Sequence, residues 1–174
     1  MANLRDSNIF QDFTVWIRDV GKIGECPNFQ PPEINIQTEE FRGGGMDGTA
    51  EIPMGIEKIE FDFSLHTWDE QVWQNLGYGP GSLDVPVTFR GYLLTASGAE
   101  KGLIIETHSL IKSIKPSKVE AGKKVDMTIS LCANYLKHSI DGVTVTEIDV
   151  FNKITIIGGV DKSANARRIL GFTY

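Results

Sequence analysis

The chain has 174 residues, of which 41% are hydrophobic and 23% are charged, and its formal net charge is −6. This length fits one domain that can bury a core without a metal or a disulfide framework. The acidic balance argues against tight nucleic-acid binding, since that affinity comes from lysine and arginine side chains on phosphates. No apolar run reaches the length of a signal peptide or a membrane span. We therefore expect a chain that is made in the cytoplasm and does not bind membranes.

The first half of the chain is predicted to contain strands and one glycine-rich interruption. Residues 13–17 alternate in polarity before the Asp19-Val20-Gly21 turn signal, which predicts a first hairpin. Residues 33–41 predict another strand, and the glycines of residues 42–48 exclude a stable helix or a central strand there. Residues 58–65 alternate cleanly, which predicts a strand with one buried face.

One helix is predicted between these strands and the second half of the chain. Thr67 is the predicted N-cap, and Glu70 three residues later completes a capping box. Gly77 is the predicted end of the helix. The predicted apolar stripe, at fourfold spacing, consists of Trp68, Val72 and Leu76.

The second half is predicted to be dominated by long strands. Residues 85–94 and 103–114 predict two of them, with a bulge near Leu110. Residues 125–135 predict a third, which the Asp141-Gly142 turn joins to a strand over residues 143–146. On this third strand the predicted core face carries Val125, Met127, Ile129, Leu131, Ala133 and Tyr135, and the opposite face carries Asp126, Thr128, Ser130, Cys132 and Asn134.

The chain is predicted to end in a short helix from Asp161 to Gly171. There is no internal repeat, linker or low-complexity segment, so residues 1–174 are predicted to form a single domain. The fold class is mainly β: an antiparallel barrel or sandwich with one flanking helix and the short C-terminal helix.

No residue pattern predicts catalysis, a cofactor or a metal. His66, His108 and His138 lie far apart and in no metal-binding motif. The glycines at 43–45 precede no phosphate-binding Lys-Ser/Thr pair, and no serine lies in a nucleophile elbow. The lysine cluster at residues 112–124 has no interleaved aromatic residues, which favours a solvated loop over a nucleic-acid site.

The two cysteines have two interpretations. Cys26 and Cys132 have no CxxC spacing, so two reduced thiols are the simpler one. Cys26 lies in a loop and Cys132 on the polar face of its strand. Both are therefore candidates for a disulfide between subunits, if the assembly leaves the cell.

Several segments, spread over nearly the whole length, resemble the major tail tube protein of contractile-tailed phages, a family shared with the tubes of R-type pyocins. Their joint order carries the likeness, whereas the N-terminus is longer and more polar than the family pattern. The segments are Glu40 to Gly48, Met54 to Glu57, Phe61 to Leu65, Val85 to Gly91, Tyr135 to Lys137, Asp141-Gly142, Glu147 to Asp149 with Asn152, Gly158 to Asp161, Arg167-Arg168 and Leu170-Gly171.

The resemblance implies a structural, non-enzymatic subunit of a virion tail. Six copies would form a ring, and rings would stack helically into the inner tube that conducts DNA into the host. The implied partners are other copies of the chain, the tail sheath, the tape-measure protein, the baseplate and the tail terminator. DNA would pass through without specific binding, and assembly would take place in the cytoplasm of the host bacterium.

The resemblance also implies site residues. An extended loop over residues 42–55 would reach an adjacent subunit, and the helix and tail at 161–174 would make further subunit contacts. Asp69 and Glu70 would face the sheath. The interface residues are Arg42, Gly43, Gly44, Gly45, Met46, Asp47, Gly48, Asp161, Arg167 and Arg168, and those facing the lumen or a neighbour are Asp126, Thr128, Ser130 and Asn134.

Two other functions stay open at this point. A tube protein of the type VI secretion kind would share the ring and the fold but bind effectors in its lumen. A monomeric β-barrel that binds a small ligand would instead have a dry cavity and a sheet closed within one chain.

Overall fold

The computed structural model describes residues 7–79 and 82–172. Antiparallel strands dominate this part of the chain, as the patterns of alternating polarity predict. The elements in chain order are β1 (Asn8–Ile17), β2 (Val20–Gly21), β3 (Asn28–Gln30), β4 (Ile36–Phe41), β5 (Ala50–Ile56), β6 (Ile59–Leu65), α1 (Glu70–Gln74), β7 (Val85–Thr95), β8 (Glu100–Pro116), β9 (Met127–Ile140), β10 (Val143–Asp149), β11 (Ile154–Ile157), β12 (Val160–Asp161) and α2 (Ala164–Leu170).

One sheet contains all of the strands except β4 and β5. Its main path is β12-β11-β10-β9-β8-β7-β1-β2, and β6 pairs with both β9 and β3. The first half of β9, residues 127–133, pairs with β6, whereas residues 135–140 pair with β10. The strand β8 runs along the other side of β9 over both halves. The β8–β9 ladder therefore joins the two parts of the sheet.

The sheet curls so that β3 and β6 cover β7 and β1. The ring of Phe29 on β3 stacks on that of Phe89 on β7, with 4.2 Å between their centroids, although three strands separate β3 from β7 in the sheet. Buried residues of β1, β6, β7, β8 and β9 fill the space between, and Val72 of α1 joins them. The predicted fold class, an antiparallel barrel or sandwich with a flanking and a C-terminal helix, is confirmed.

The strand β9 follows the predicted alternation as far as Ala133 and then changes phase. Met127, Ile129 and Leu131 are buried, as predicted. The register with β8 shifts at Asn134, since His108 pairs with Tyr135 but Ser109 pairs with Ala133. This bulge places Leu136 in the core and turns Tyr135 to the solvent side, so the prediction that Tyr135 faces the core was wrong.

Turns and bulges elsewhere match the sequence closely. Asp141 and Gly142 have φ angles of 50° and 76°, which is the left-handed geometry expected of the predicted tight turn. The register of β8 against β9 also shifts between Ile111 and Ser113, next to the bulge predicted near Leu110. The N-terminal hairpin is present, but it turns at Arg18, and β1 begins earlier than predicted and pairs mainly with β7.

The helix α1 is shorter than predicted and has a different N-cap. Asp69 caps it, because its Oδ1 atom accepts a hydrogen bond from the Val72 amide at 3.1 Å. Asp69 is also buried in an ion pair with the buried Lys22 ammonium group. Thr67 is therefore not the cap, and the expectation that Asp69 faces outward was wrong.

The apolar stripe of α1 was predicted correctly only in part. Val72 is fully buried and Leu76 packs against the core, but Trp68 is 55% exposed and stacks on Trp73. Gly77 is needed for close approach. A Cβ atom there would lie 2.0 Å from Leu110 Cδ1 and 2.9 Å from the Ile111 carbonyl oxygen. The Gly77 amide instead donates to that oxygen at 3.1 Å, which fastens the end of the helix segment to β8.

We expect Asp69→Ala to lower the free energy of unfolding by about 3–5 kcal/mol, because it leaves the Lys22 ammonium group buried without its partner. Thr67→Ala should change it by less than about 0.5 kcal/mol. Urea denaturation of the dissociated protein, followed by tryptophan fluorescence, measures both. Equal losses in the two variants would contradict the assignment of Asp69 as the cap.

Candidate assembly surfaces

The hairpin of β4 and β5 lies outside the main sheet. Its strands pair only with each other, from Ile36 opposite Ile56 to Phe41 opposite Ala50. Every residue of both strands is exposed except Ile56, which is half-buried. Large apolar side chains are among them, with Phe41 53% and Met54 59% exposed. Such exposure is costly in water, so the hairpin is a candidate for burial by another molecule.

The tip of the hairpin contains the seven interface residues predicted from Arg42 to Gly48. A turn forms there, in which the Met46 amide donates to the Gly43 carbonyl oxygen at 3.3 Å. Gly45 has a φ of 84°, a conformation that favours glycine. The irregular segment is shorter than the loop predicted over residues 42–55, since residues 50–55 belong to β5.

A second surface, which the sequence analysis missed, is the outer edge of β1. This strand pairs with β7 along its length, but on its other side only Trp16 and Ile17 pair with β2. Within residues 7–79 and 82–172, no strand covers the outer edge over residues 8–14. Ile9 and Phe10 beside it are about half exposed. An open edge of this kind presents unpaired backbone donors and acceptors to another strand.

A third surface is an apolar groove at the base of the hairpin. It has a volume of about 720 Å³ and lies between the hairpin and the strands β10 and β11. Its apolar lining includes Ile34, Ile36, Ile56, Ile148 and Ile157. The alternating isoleucines at positions 34 and 36 are the only signal of this groove in the sequence.

The predicted polar face of β9 is on the solvent side of the curled sheet. Thr128, Ser130 and Asn134 are half-buried, and the Thr128 hydroxyl lies 3.3 Å from that of Ser64 on β6. Asp126 precedes the strand and contacts the His66 ring instead. Lys112, on the adjacent strand β8, forms an ion pair with Glu60, and the hydrogen bond from Lys112 lowers the pKa of that carboxyl group. Glu33, Glu60 and Asp62 on this part of the face outnumber Lys112 and Lys115, so it carries no excess of positive charge.

The same face continues into an acidic groove of about 950 Å³ beside β8 and β9. Asp84, Glu106 and Asp149 line it, and the His108 ring lies 2.8 Å from the Asp84 carboxylate. The Tyr135 hydroxyl donates to Glu147 at 3.0 Å, and burial together with this bond raises its pKa to about 12. The phenol is therefore a fixed hydrogen-bond donor at neutral pH. The carboxylates that line the groove can attract a cation.

Both cysteines are free thiols within one chain. They are half-buried, and burial raises the pKa of Cys26 to about 11, while its Sγ donates to the Asn28 carbonyl oxygen at 3.2 Å. A thiol with this pKa is a poor nucleophile for disulfide exchange at neutral pH. The disulfide between subunits stays a prediction.

The C-terminal segment contains the remaining predicted interface residues. Asp161 lies in β12, so the helix α2 begins three residues later than predicted, and Gly171 ends it in the left-handed conformation. The Arg167 guanidinium group pairs with Asp161 of its own chain and donates to the Lys153 carbonyl oxygen at 2.9 Å. Arg168 is bonded to Asn165 at 2.9 Å. Arg167 therefore anchors α2 within its own subunit.

The described part of the chain has no helix long and apolar enough to cross a membrane. Nor do three or more histidine, cysteine, aspartate or glutamate side chains converge there to hold a metal ion.

A family model described as phage tail tube protein FII matches residues 7–171. The chain belongs to this family. It is 27% identical over 143 residues to the tail tube protein of Escherichia phage P2, which covers 80% of this chain and 83% of that protein. The predicted family is confirmed, and so is the role of a tail tube subunit in a contractile tail or a related injection system. The alternative of a ligand-binding barrel is not supported.

Solved structures of contractile injection systems have the same fold. The sheath/tube terminator of the extracellular system PVC superposes with a TM-score of 0.56 at 16% identity, covering 73% of this chain and 92% of that one. The PVC sheath–tube complex gives a TM-score of 0.53 at 16% identity, covering 75% and 88%. At 16% identity, these similarities show a shared fold and nothing more.

We expect Arg167→Ala to release α2, because this short helix buries no side chain of its own and loses its main anchor. The carbon chemical shifts of residues 164–170 in the dissociated protein should move toward random-coil values, whereas Arg168→Ala should leave them helical. Arg167 lowers the pKa of Asp161, so the anchor should be present at neutral pH and lost as the pH falls through that lowered pKa. Helical shifts in Arg167→Ala would refute this role.

Proposed function

We propose that six copies of this chain close into a ring and that the rings stack helically into the hollow inner tube of a contractile tail, which conducts DNA into the host. The observation that carries the proposal is the open backbone edge of β1 in a member of a tail tube family. The chain is a structural subunit and performs no catalysis.

Lateral assembly follows from the open edge. The outer side of β1 over residues 8–14 can accept a strand from the next subunit, which would extend the sheet around the ring. A closed ring removes such edges, whereas contacts between unlike surfaces along the axis continue without limit and give a tube. The exposed side chains of Ile9 and Phe10 would be buried in this contact.

Contacts between subunits also involve the hairpin and the C-terminal segment. The hairpin of β4 and β5, with Arg42 to Gly48 at its tip, extends from the sheet and would reach an adjacent subunit. Asp161 and Arg167 hold α2 in place, so Arg168 and the exposed Ile169 are its candidate contacts. The role of Arg167 is then to position the helix.

The lumen must let DNA pass without holding it. The polar face with Thr128, Ser130 and Asn134 either lines the lumen or meets a neighbouring subunit, and Asp126 lies at its end. A chain with a net charge of −6 and this weakly polar face would not adsorb a polyanion, because like charges repel. DNA therefore passes without specific binding.

Other tail proteins would bind the outside and the ends of the tube. The tail sheath would surround it, the terminator and the baseplate would close its ends, and the tape-measure protein would occupy its lumen before ejection. Glu70 and the exposed ring of Trp68 are candidate sheath contacts on α1. Assembly would take place in the host cytoplasm, and the finished tube would be part of the virion.

We expect the concentrated wild-type protein to form long tubes in negative-stain electron micrographs. Replacing residues 38–53 by an Asn-Gly turn should prevent long tubes while the protein stays folded, because the core lies in the other sheet. Asp19→Ala, in an exposed turn outside the hairpin, is the matched control and should form tubes like the wild type.

Other outcomes separate the alternatives. Wild-type protein that stays at the mass of one chain in all buffers would contradict the proposed ring and tube. Isolated rings that stack only weakly would favour a tube of the type VI secretion kind. Long tubes from the variant without the hairpin would show that the hairpin is not required for the contact between subunits.

A further inference from the structure

The hairpin of β4 and β5 is strongly acidic, and its charges have no described partners within the chain. Residues 36–56 contain Glu39, Glu40, Asp47 and Glu51 against the single cation Arg42, a net charge of −3. Among the described residues, none of these five side chains takes part in an ion pair or a side-chain hydrogen bond. All five are exposed.

Glu40 and Glu51 lie directly opposite each other on the two strands of the hairpin. Like charges in this position repel and weaken an isolated hairpin. A cationic surface placed against them would turn this repulsion into attraction. The pair is therefore unfavourable in the free subunit and favourable in a complex with a basic partner.

The same chain carries a basic surface of matching size. Residues 115–124, the end of β8 and the loop that follows, contain Lys115, Lys118, Lys123 and Lys124 against Glu120, a net charge of +3. This segment, called the basic loop below, is exposed throughout. Glu120 pairs with Lys118 and Lys123, which leaves Lys115 and Lys124 with no carboxylate partner in the described part of the chain. Val119, in the middle of the loop, is 64% exposed.

The acidic hairpin and the basic loop emerge from opposite ends of the sheet. The hairpin leads into β6 at Ile59, which pairs with Ala133, whereas the basic loop ends where Met127 pairs with Leu65, at the far end of β6. Seven residues of strand place these ends about 20 Å apart. The groove at the base of the hairpin faces β10 and β11, away from the basic loop. One chain is therefore poorly placed to join its own two surfaces.

We propose that the acidic hairpin of one subunit docks on the basic loop of a second copy in the adjacent ring. This inference rests on the proposed tube and names the surface that receives the hairpin. Two complementary charges at opposite ends of a subunit favour a head-to-tail contact, which repeats along an axis. They disfavour both head-to-head contacts, hairpin on hairpin and loop on loop, because like charges would then meet. The charges thus favour a polar tube, in which all subunits point the same way along the axis.

Charge reversal at each surface, alone and combined, tests the contact. Glu40→Lys with Glu51→Lys changes the hairpin from −3 to +1, and Lys118→Glu with Lys124→Glu changes the basic loop from +3 to −1. We expect each variant to form tubes at least about 10-fold more slowly than the wild type in 50 mM NaCl, measured by light scattering. The chain with all four substitutions should recover to within about 3-fold of the wild type.

A matched control separates this contact from a general effect of charge. Asp19→Lys with Glu25→Lys changes the net charge by the same amount as the hairpin variant, at an exposed and a half-buried position outside both surfaces, and should assemble at the wild-type rate. Circular dichroism of each dissociated variant checks that it is folded. The difference between the wild type and the two charge-reversed variants should shrink in 500 mM NaCl, because salt screens exposed charges.

The possible results distinguish a failure of this inference from a failure of the proposed tube. Wild-type tubes together with undiminished assembly of both charge-reversed variants would overturn this inference and leave the proposed tube intact. Slow assembly of the two charge-reversed variants that is not restored in the chain with all four substitutions would also overturn this inference. A wild-type chain that forms no tubes would overturn the proposed function, and this inference with it.

Discussion

A strand at the edge of a sheet has backbone donors and acceptors that only another strand or water can satisfy. This constraint bears on how the sheet of this protein curls around its core without closing into a hydrogen-bonded barrel. The curl that brings Phe29 onto Phe89 buries the core by side-chain contact, and no hydrogen-bonded ladder joins β3 to β7. The core is thus filled by residues of one chain, whereas the backbone groups on the outer edge of β1 over residues 8–14 have no strand partner within the described residues. In the proposed ring, each open edge is covered by the next copy.

The same constraint explains why the candidate assembly surfaces are spread over the subunit. The edge of β1, the hairpin of β4 and β5, and the basic loop lie on different parts of the subunit, and none of them resembles a catalytic pocket. Ion pairs inside the subunit, such as Lys22 with Asp69 and Arg167 with Asp161, hold α1 and α2 in position. The hairpin and the basic loop instead retain charges that have no partner within residues 7–79 and 82–172. In the described part of the subunit, the paired charges hold its own helices, and the unpaired ones are those proposed to contact other copies.

Much of the fold could be predicted from the sequence, because one face of β6 and of β9 is buried and the other is polar. The phase change at Tyr135 could not, since the bulge at Asn134 arises from the register against β8 rather than from local residues. The cap of α1 was missed for a similar reason. Thr67 and Asp69 are both good caps by residue type, and the buried Lys22, 47 residues away in sequence, selects Asp69.

The assembly surfaces were predictable to different degrees. The residues at the hairpin tip were predicted from the glycine-rich segment and the family resemblance, and their place in an interface stays a prediction. The sequence shows the acidic residues Glu39 and Glu40 of the hairpin. It does not show that Glu51 lies opposite Glu40, because that pairing depends on the register of β4 against β5. The open edge of β1 could not be found from local residues at all, because a strand is at an edge only by virtue of the topology around it.

Hydrogen exchange in assembled tubes and in dissociated subunits tests most directly whether sister copies cover the open edge. Amides over residues 8–14 that point away from β7 should exchange rapidly in the dissociated subunit and slowly in the tube. The amides of β9, which pairs on both sides within one chain, should be protected in both states. Equal and rapid exchange of the β1 amides in both states would contradict the account.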